Sequence, residues 1–255
     1  IFVGDFFQLP PVSNTFCFTS KSWIKLNPII IELTELIRQG DDKLFQLILG
    51  KLRFGKMTHQ IYEILKNNKI NKSIIIPTIL YPNNIDVDKI NNLELEKLGK
   101  ECNVFNTYKA FYNKKIENKI LNEKLMLYDV ILCVGCQVMI TRNISIENEL
   151  VNGTRGIIVD LNTNYVILKT NKGIFNINYY IQDLENNYSK KLVIQFMPIK
   201  LAYAITIHKS QGATIDKLSI DIGKKIFTYG QAYTALSRGK RLEDIDIIDI
   251  NMNSF

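Results

Sequence analysis

The stretch LAYAITIHKSQGAT, residues 201–214, decides the fold because an apolar strand pattern passes directly into a polar turn that ends in glycine. Residues 201–207 are predicted to form a buried strand. Open parallel sheets bind ligands beyond the carboxyl ends of their strands. Thr206, His208 and Lys209 offer a hydroxyl, an imidazole and an ammonium group there, and Gly212 allows main-chain N–H groups to approach a phosphate. A lone histidine on a strand is usually structural, but this run of polar residues is costly to bury.

Further apolar runs rich in β-branched residues extend the strand pattern on both sides of this stretch. Helices are predicted between them, one capped by Asp41 or Asp42, one starting at Thr58, and two more over residues 86–101 and 227–237. Strand, loop and helix in alternation are typical of an α/β fold with a parallel sheet. The predicted strands are residues 1–3, 28–33, 73–81, 201–207, 217–222 and 244–250.

Between about residues 128 and 197 the pattern changes to short alternating strands separated by turn residues, which predicts a small β-barrel inserted in the α/β domain. Asn152-Gly153 is a strong turn signal within it. Cys133 and Cys136 form a single C-x-x-C pair, and a structural zinc site needs four ligands. With no second cysteine or histidine pair nearby, ordinary strand packing is preferred and no metal site is predicted.

Three side chains outside the opening stretch are suited to a nucleotide site. Gln8, in GDFFQLPPV, follows a predicted strand and could sense a γ-phosphate without adding charge, although for this segment alone a proline-stiffened turn with a surface glutamine is the favoured interpretation. Arg38 and Arg238 each follow a predicted element, and a guanidinium offers a bidentate fork for phosphate. Taken singly, each arginine could also form a surface ion pair.

The bulk composition is compatible with a nucleic-acid partner. The formal net charge is +7 and the pI is near 9.1, which favours a polyanion, although a Lys-, Asn- and Ile-rich codon bias would give the same balance. Four unevenly spaced cysteines indicate a reducing, intracellular compartment. The nucleus, a mitochondrion or a virus-infected cell would fit. No apolar run approaches the roughly 20 residues of a membrane span, so a soluble protein without a membrane partner is expected.

Six sequence blocks occur in the order and approximate spacing seen in the PIF (petite integration frequency) helicases. These are relatives of the RecD-like, 5′-to-3′ branch of superfamily one. The chain therefore resembles that family from residue 1 to about residue 250. The blocks are GDFFQLPPV (4–12), LTELIRQ (33–39), LYPNNIDVDKIN (80–91), LVNGTRGIIVD (150–160), IHKSQGAT (207–214) and YTALSRG (233–239).

The resemblance implies a RecA-like motor fold of the P-loop NTPase type. It places the end of a first RecA-like domain at residues 1–35 and a second one at 36–130 and 199–255. A Src-homology-like barrel is expected at 131–198.

By the same resemblance, Gln8 looks like the γ-phosphate sensor, and Arg38 and Arg238 look like the arginines that act on ATP. Gln211 and Gly212 would lie at the nucleotide side of their motif. The nucleic-acid-binding residues would be Asn84, Thr206, His208 and Lys209. The family's usual threonine before Asn84 is replaced by Asn83, which puts one hydroxyl contact in doubt. LVNGTRG is as compatible with a structural turn as with a DNA contact.

The resemblance also implies an ATP-dependent DNA helicase that uses ATP and Mg²⁺ on single-stranded DNA and fork duplexes. The phosphate-binding G-x-x-x-x-G-K-S/T loop and the paired Asp-Glu that would hold Mg²⁺ do not occur in these residues. We therefore expect an N-terminally truncated, monomeric chain, inactive by itself, whose first RecA-like domain is supplied in cis or by a separate chain. The alternative is a non-catalytic single-strand-binding module derived from a helicase. A relative whose arginines only stabilise the fold is a third interpretation.

Overall fold

The computed structural model describes residues 1–11, 15–70, 76–110, 129–186 and 190–255. The chain forms two compact units. The first unit comprises Ile1–Ile90 and Tyr203–Phe255, and the second comprises Asn91–Ala202. The four-segment domain division expected from the sequence stays a prediction.

Three helices precede the first strand, and a long run of strands follows the fourth helix. The α-helices are α1 (Lys21–Leu26), α2 (Lys43–Leu52), α3 (His59–Asn67), α4 (Asn84–Lys97) and α5 (Gln231–Leu236). Short 3₁₀ turns lie at Cys17–Thr19, His208–Ser210, Leu242–Asp244 and Met252–Ser254. The strands are β1 (Thr78–Tyr81), β2 (Asn103–Phe105), β3 (Tyr108–Ala110), β4 (Val130–Leu132), β5 (Gln137–Ile140), β6 (Arg155–Leu161), β7 (Tyr165–Thr170), β8 (Gly173–Asn178), β9 (Tyr180–Asn186), β10 (Lys190–Phe196), β11 (Ile199–Leu201), β12 (Ala204–Thr206), β13 (Leu218–Ile222) and β14 (Ile245–Ile250).

A four-stranded parallel sheet forms the centre of the first unit, in the order β12-β1-β13-β14. Every residue of β12 and β13 is buried. Strands buried along their whole length form when both faces of a parallel sheet are covered. Because the strands run the same way, Tyr81, Thr206, Ile222 and Ile250 end them at one edge of the sheet. The predicted α/β fold with a parallel sheet is confirmed.

Local capping defines the helices that pack beside this sheet. The Asp42 side chain accepts a hydrogen bond from Phe45 N at the start of α2, and the Thr58 hydroxyl accepts one from Ile61 N at the start of α3. Such caps satisfy amides that have no partner in the first helical turn. Both helix starts are confirmed. The last helix is shorter than predicted, because residues 227–230 form a loop before α5.

The strands predicted at residues 1–3 and 28–33 are absent from the structure, and that prediction was wrong for this chain as it stands. Both segments lack regular structure. Their apolar side chains are exposed, with Val3 at 90%, Ile29 at 92% and Ile31 at 81%. A strand is stabilised by its hydrogen-bonded neighbours and by burial of its side chains, and no described strand pairs with either segment. The predicted strand at 73–81 is observed only over β1, and its first three residues lie outside the described residues.

The second unit consists of antiparallel sheets, as the alternating pattern predicted. One sheet has five strands in the order β11-β5-β6-β7-β8. A second sheet has three strands in the order β3-β10-β9, and β2 pairs with β4. Asn152-Gly153 forms a turn, with Gly153 at φ +100° and its N–H donating to Ile140 O. The closure of these sheets into one small barrel stays a prediction.

Cys133 and Cys136 are fully buried beside β4 and β5. Burial raises the pKa of Cys136 to about 12, so its thiol stays neutral. Among the described residues, every helix is too short or too polar to cross a membrane.

Candidate functional site

The Gln8 side chain is held by the turn that carries it. Its Nε2 donates to Asp5 Oδ2 at 3.2 Å, and Asp5 Oδ1 accepts from Phe7 N at 3.1 Å. The Asp5 contact sets which end of the Gln8 amide faces away from the turn. Gln8 Oε1 then accepts a long hydrogen bond, 3.5 Å, from Arg238 Nη2. The structure thus brings two sequence-predicted site residues together, although they are 230 positions apart.

Arg238 follows the end of α5 and is 1% exposed. Its Nε donates to Thr234 O at 3.0 Å, and its Nη2 donates to Ser237 Oγ at 2.7 Å. Burial, followed by the positive charge of Arg38, lowers the pKa of Arg238 to about 10. The guanidinium therefore remains charged at neutral pH.

Arg38 contacts the same residue, Ser237, as Arg238 does. Its Nε donates to Thr214 Oγ1 at 2.9 Å, and its Nη1 donates to Ser237 O at 2.8 Å. Ser237 thus contacts both arginines, one through its carbonyl and the other through its hydroxyl. Burial lowers the pKa of Arg38 as well. Gly212 lies two residues before Thr214 with φ +82°, and a Cβ added there would meet no atom within 4 Å, so its backbone faces open space.

Two further contacts join the segments that carry the arginines. Gln39 Nε2 donates to Gly239 O at 2.9 Å, and Leu242 N donates to Asp42 Oδ2 at 2.9 Å. Together with the Arg38–Ser237 bond, they join residues 38–42 to residues 237–242 at three points. These bonds fix the two backbone segments from which the Arg38 and Arg238 side chains extend.

Sequence reasoning missed Arg53. Its Nη2 lies 3.2 Å from Asp5 Oδ1, and its guanidinium carbon lies 4.9 Å from the centre of the Phe7 ring. The Asp5–Arg53 pair thereby supports the turn that presents Gln8. Arg53 follows directly after an amphipathic helix, where a cation usually faces solvent, and only the folded contact with Asp5 identifies it.

Among the described residues, the two arginines of this cluster have no direct carboxylate contact, although the charge of Asp5 acts to raise the pKa of Arg238. Within the described part of the chain, neither Arg38 nor Arg238 forms an ion pair, and Asp5 pairs with Arg53 instead. The acceptors around the two arginines are carbonyl, hydroxyl and amide oxygens. Two neighbouring guanidinium charges repel one another, and bringing an anion between them would relieve that repulsion. The donor set fits phosphate oxygens, which guanidinium forks bind with two parallel hydrogen bonds.

A second group of predicted residues lies at the carboxyl edge of the sheet. Asn84, His208, Lys209 and Gln211 are exposed. Thr206 is buried, and its hydroxyl accepts from Lys209 N at 3.2 Å, so it shapes the turn. These residues lie at the ends of β1 and β12, separate from the hydrogen-bonded arginine cluster.

His208 and Asn83 have identifiable local roles at this edge. The His208 ring lies parallel to the Phe227 ring, with 5.9 Å between centroids and 10° between planes, and burial lowers the pKa of His208. Asn83 Oδ1 accepts from Asp86 N at 3.0 Å, which caps α4. The amide at the position of the family's threonine thus retains a structural role, and Asn84 remains exposed beside it.

Comparison with known proteins identifies the family. The family model "DNA helicase Pif1, 2B domain" matches residues 117–161. The Xenopus laevis ATP-dependent DNA helicase PIF1 is 33% identical over 267 residues, covering 98% of this chain and 41% of that protein. The chain belongs to the Pif1 helicase family.

Solved Pif1 structures share the fold over almost the whole chain. The crystal structure of Candida albicans Pif1 has a TM-score of 0.77 and 27% identity, covering 98% of this chain and 64% of that one. A Bacteroides Pif1 helicase in complex with ADP-AlF3 and ssDNA has a TM-score of 0.62 and 27% identity, covering 98% and 62%. The chain therefore has the α/β, RecA-like architecture of Pif1 structures and spans about two fifths of the length of the Xenopus relative.

Proposed function

We propose that this chain supplies the arginine half of the ATP site of an ATP-dependent DNA helicase that moves 5′ to 3′ along single-stranded DNA and opens fork duplexes. The observation that carries the proposal is the joining of Arg38 and Arg238 through Ser237, with Gln8 in contact with Arg238. Three polar groups from distant parts of the sequence meet there, and the two cations have no ion-pair partner among the described residues. The Bacteroides relative, whose structure contains ADP-AlF3 and ssDNA, supports the same assignment.

Each residue has a distinct role in this proposal. The Arg38 and Arg238 forks would bind the terminal phosphates and stabilise the negative charge that develops during phosphoryl transfer. Gln8 would respond to the γ-phosphate, because its amide can exchange the Arg238 contact for a phosphate oxygen or a water molecule. Gln211 and Gly212 would lie at the nucleotide side of their turn. Asn84, Thr206, His208 and Lys209 would form or support the single-strand track.

Mg²⁺ and the phosphate loop would come from a first RecA-like domain. The arginine cluster contains no carboxylate pair suited to Mg²⁺ among the described residues, and this ion prefers oxygen ligands in octahedral geometry. The exposed apolar residues of segments 1–3 and 29–33 support a partner of this kind, since patches of that character are normally covered. We propose that this domain, in cis or as a separate chain, pairs with these segments and completes one monomeric motor. The chain alone would not hydrolyse ATP.

The test combines this chain with a first RecA-like domain that carries a phosphate loop, and measures ATP hydrolysis with and without single-stranded DNA. Arg238→Ala should lower kcat by about 10³-fold or more, in line with arginine fingers. Arg241→Ala is the matched control, because Arg241 lies three residues away and pairs with Glu243 on the surface. Equal rates for both variants, or no DNA-stimulated hydrolysis in the combined protein, would refute the motor assignment.

A non-catalytic single-strand-binding module remains the second candidate. The observation that favours it is the absence of a G-x-x-x-x-G-K-S/T loop from these 255 residues, alongside exposed Asn84, His208 and Lys209. The same experiment separates the two functions. A module would bind single-stranded DNA with unchanged affinity in the presence of ATP and would show no turnover after the first domain is added.

A further inference from the structure

Phe227 is an exposed aromatic residue beside His208 at the carboxyl edge of the sheet. We propose that it forms a base-stacking platform for single-stranded nucleic acid, adding a base to the stack that it already makes with His208. The proposal rests on the function proposed above, because it assigns a further binding residue to the single-strand track. No sequence block singled out Phe227, and it lies between the blocks at residues 207–214 and 233–239.

The exposure of Phe227 requires an explanation. The residue is 66% exposed, yet its ring lies parallel to that of His208. Two parallel rings present a flat apolar face. Every base has such a face, so aromatic platforms bind single strands with little dependence on sequence.

A hydrogen bond to the buried Gln231 side chain fixes the backbone of Phe227. Phe227 N donates to Gln231 Oε1 at 3.2 Å, and Gln231 Nε2 donates to Pro82 O at 3.4 Å. Gln231 is fully buried. It therefore connects the loop that carries Phe227 to the loop that precedes Asn84. A platform positioned before binding loses less conformational entropy when the ligand arrives.

The surroundings of the platform suit a polyanionic strand. Lys209 directly follows His208 and is exposed. Lys225 precedes Phe227 in the chain, although it pairs with Asp86 at 2.7 Å. Ammonium groups would contact phosphates while the rings contact bases, which is the combination found in sequence-tolerant single-strand tracks.

The test measures binding of the chain itself to a fluorescein-labelled oligo-dT by anisotropy at several salt concentrations. Phe227→Ala should weaken binding by about 5- to 150-fold, the range of one lost base stack. Phe227→Leu should lose a similar factor despite its apolar bulk, and Phe227→Trp should bind at least as tightly. The dependence of log Kd on log salt should stay unchanged, because no phosphate contact is removed. The control is Phe54→Ala, which removes a phenylalanine of similar exposure, 60%, from the end of α2.

A spectroscopic measurement separates stacking from a structural effect. An oligonucleotide with 2-aminopurine should show a fluorescence change on binding the wild-type chain, and this change should be lost in Phe227→Leu. If the wild-type chain binds but Phe227→Ala, Phe227→Leu and Phe54→Ala all match it, the platform is refuted and the helicase proposal stands. If the wild-type chain does not bind single-stranded DNA at all, the proposed single-strand track itself is refuted. If circular dichroism shows that Phe227→Ala does not fold, the binding of Phe227→Leu tests the platform instead.

Discussion

Replacing Gly230 by alanine should disrupt the packing of the Gln8 turn against the start of α5. Gly230 has φ +71°, and an added Cβ would lie 2.4 Å from Gln8 O and 2.8 Å from Phe7 O. These are backbone atoms, so the turn would have to move. The left-handed conformation costs alanine about 1–2 kcal/mol relative to glycine. The displaced backbone adds about 1–3 kcal/mol, and we expect a total loss of about 2–5 kcal/mol in the free energy of unfolding.

Gly212→Ala provides the matched control. Gly212 has φ +82°, close to that of Gly230, but an added Cβ would meet no atom within 4 Å. Gly212→Ala should therefore lose only the cost of placing alanine in the left-handed conformation, about 1–2 kcal/mol of the free energy of unfolding. The difference between the two variants isolates the contact between the Gln8 turn and Gly230.

Urea unfolding followed by tryptophan fluorescence measures both variants. Trp23 is the single tryptophan, and its ring lies 6.3 Å from Phe6 in the same turn region. The free energies follow from linear extrapolation to zero denaturant. Equal losses for Gly230→Ala and Gly212→Ala would refute the reasoning, because they would show that the Gln8 turn does not pack on Gly230.

Two further outcomes concern Asp42 and Asp221. Asp42→Ala should lower the free energy of unfolding by about 2–4 kcal/mol, because it removes the α2 cap and leaves Leu242 N unsatisfied. Asp41→Ala, at an exposed neighbouring position, should change the free energy of unfolding little. Equal losses for the two variants in urea unfolding would count against the cap. Burial raises the pKa of Asp221, so its charged form destabilises the folded state once the pH exceeds the unfolded-state pKa. Asp221→Asn should therefore stabilise the chain at pH 7, and the gain should disappear as the pH falls below the ordinary value of 3.8; a gain that does not depend on pH would contradict this cause.

Local signals predicted α2 to α5 and the central strands because their causes lie within a few residues, whereas α1 was not predicted. Asp42 and Thr58 cap the helices that follow them, and β13 is buried throughout. Residues 1–3 and 28–33 have a similar apolar composition, yet they form no strand here. Strand formation depends on a neighbour, and sequence pattern alone does not show whether that neighbour is present.

The candidate site was predictable only in part, for a related reason. Gln8, Arg38 and Arg238 were recognisable from their motifs, whereas Arg53, Ser237 and Phe227 were not. Arg53 acts through Asp5, and Phe227 is positioned by Gln231. Each of these roles depends on which distant residue the fold places beside the side chain. In the sequence, such a residue has the same position and charge as an ordinary surface residue, so the sequence does not distinguish the two.

Ser237 shows how the cluster keeps its charge while satisfying its hydrogen bonds. Its carbonyl accepts from Arg38 and its hydroxyl accepts from Arg238, and neither contact neutralises a guanidinium. Carboxylate partners at the same positions would hold the arginines more firmly but would cancel the positive charge that a phosphate requires. Burial, followed by the charge of Arg38, lowers the pKa of Arg238 to about 10, and the group still remains charged at neutral pH. In the proposed function, the two guanidinium groups stay without a carboxylate partner until a phosphate binds between them, so the donors that hold the arginines in place leave their charge available.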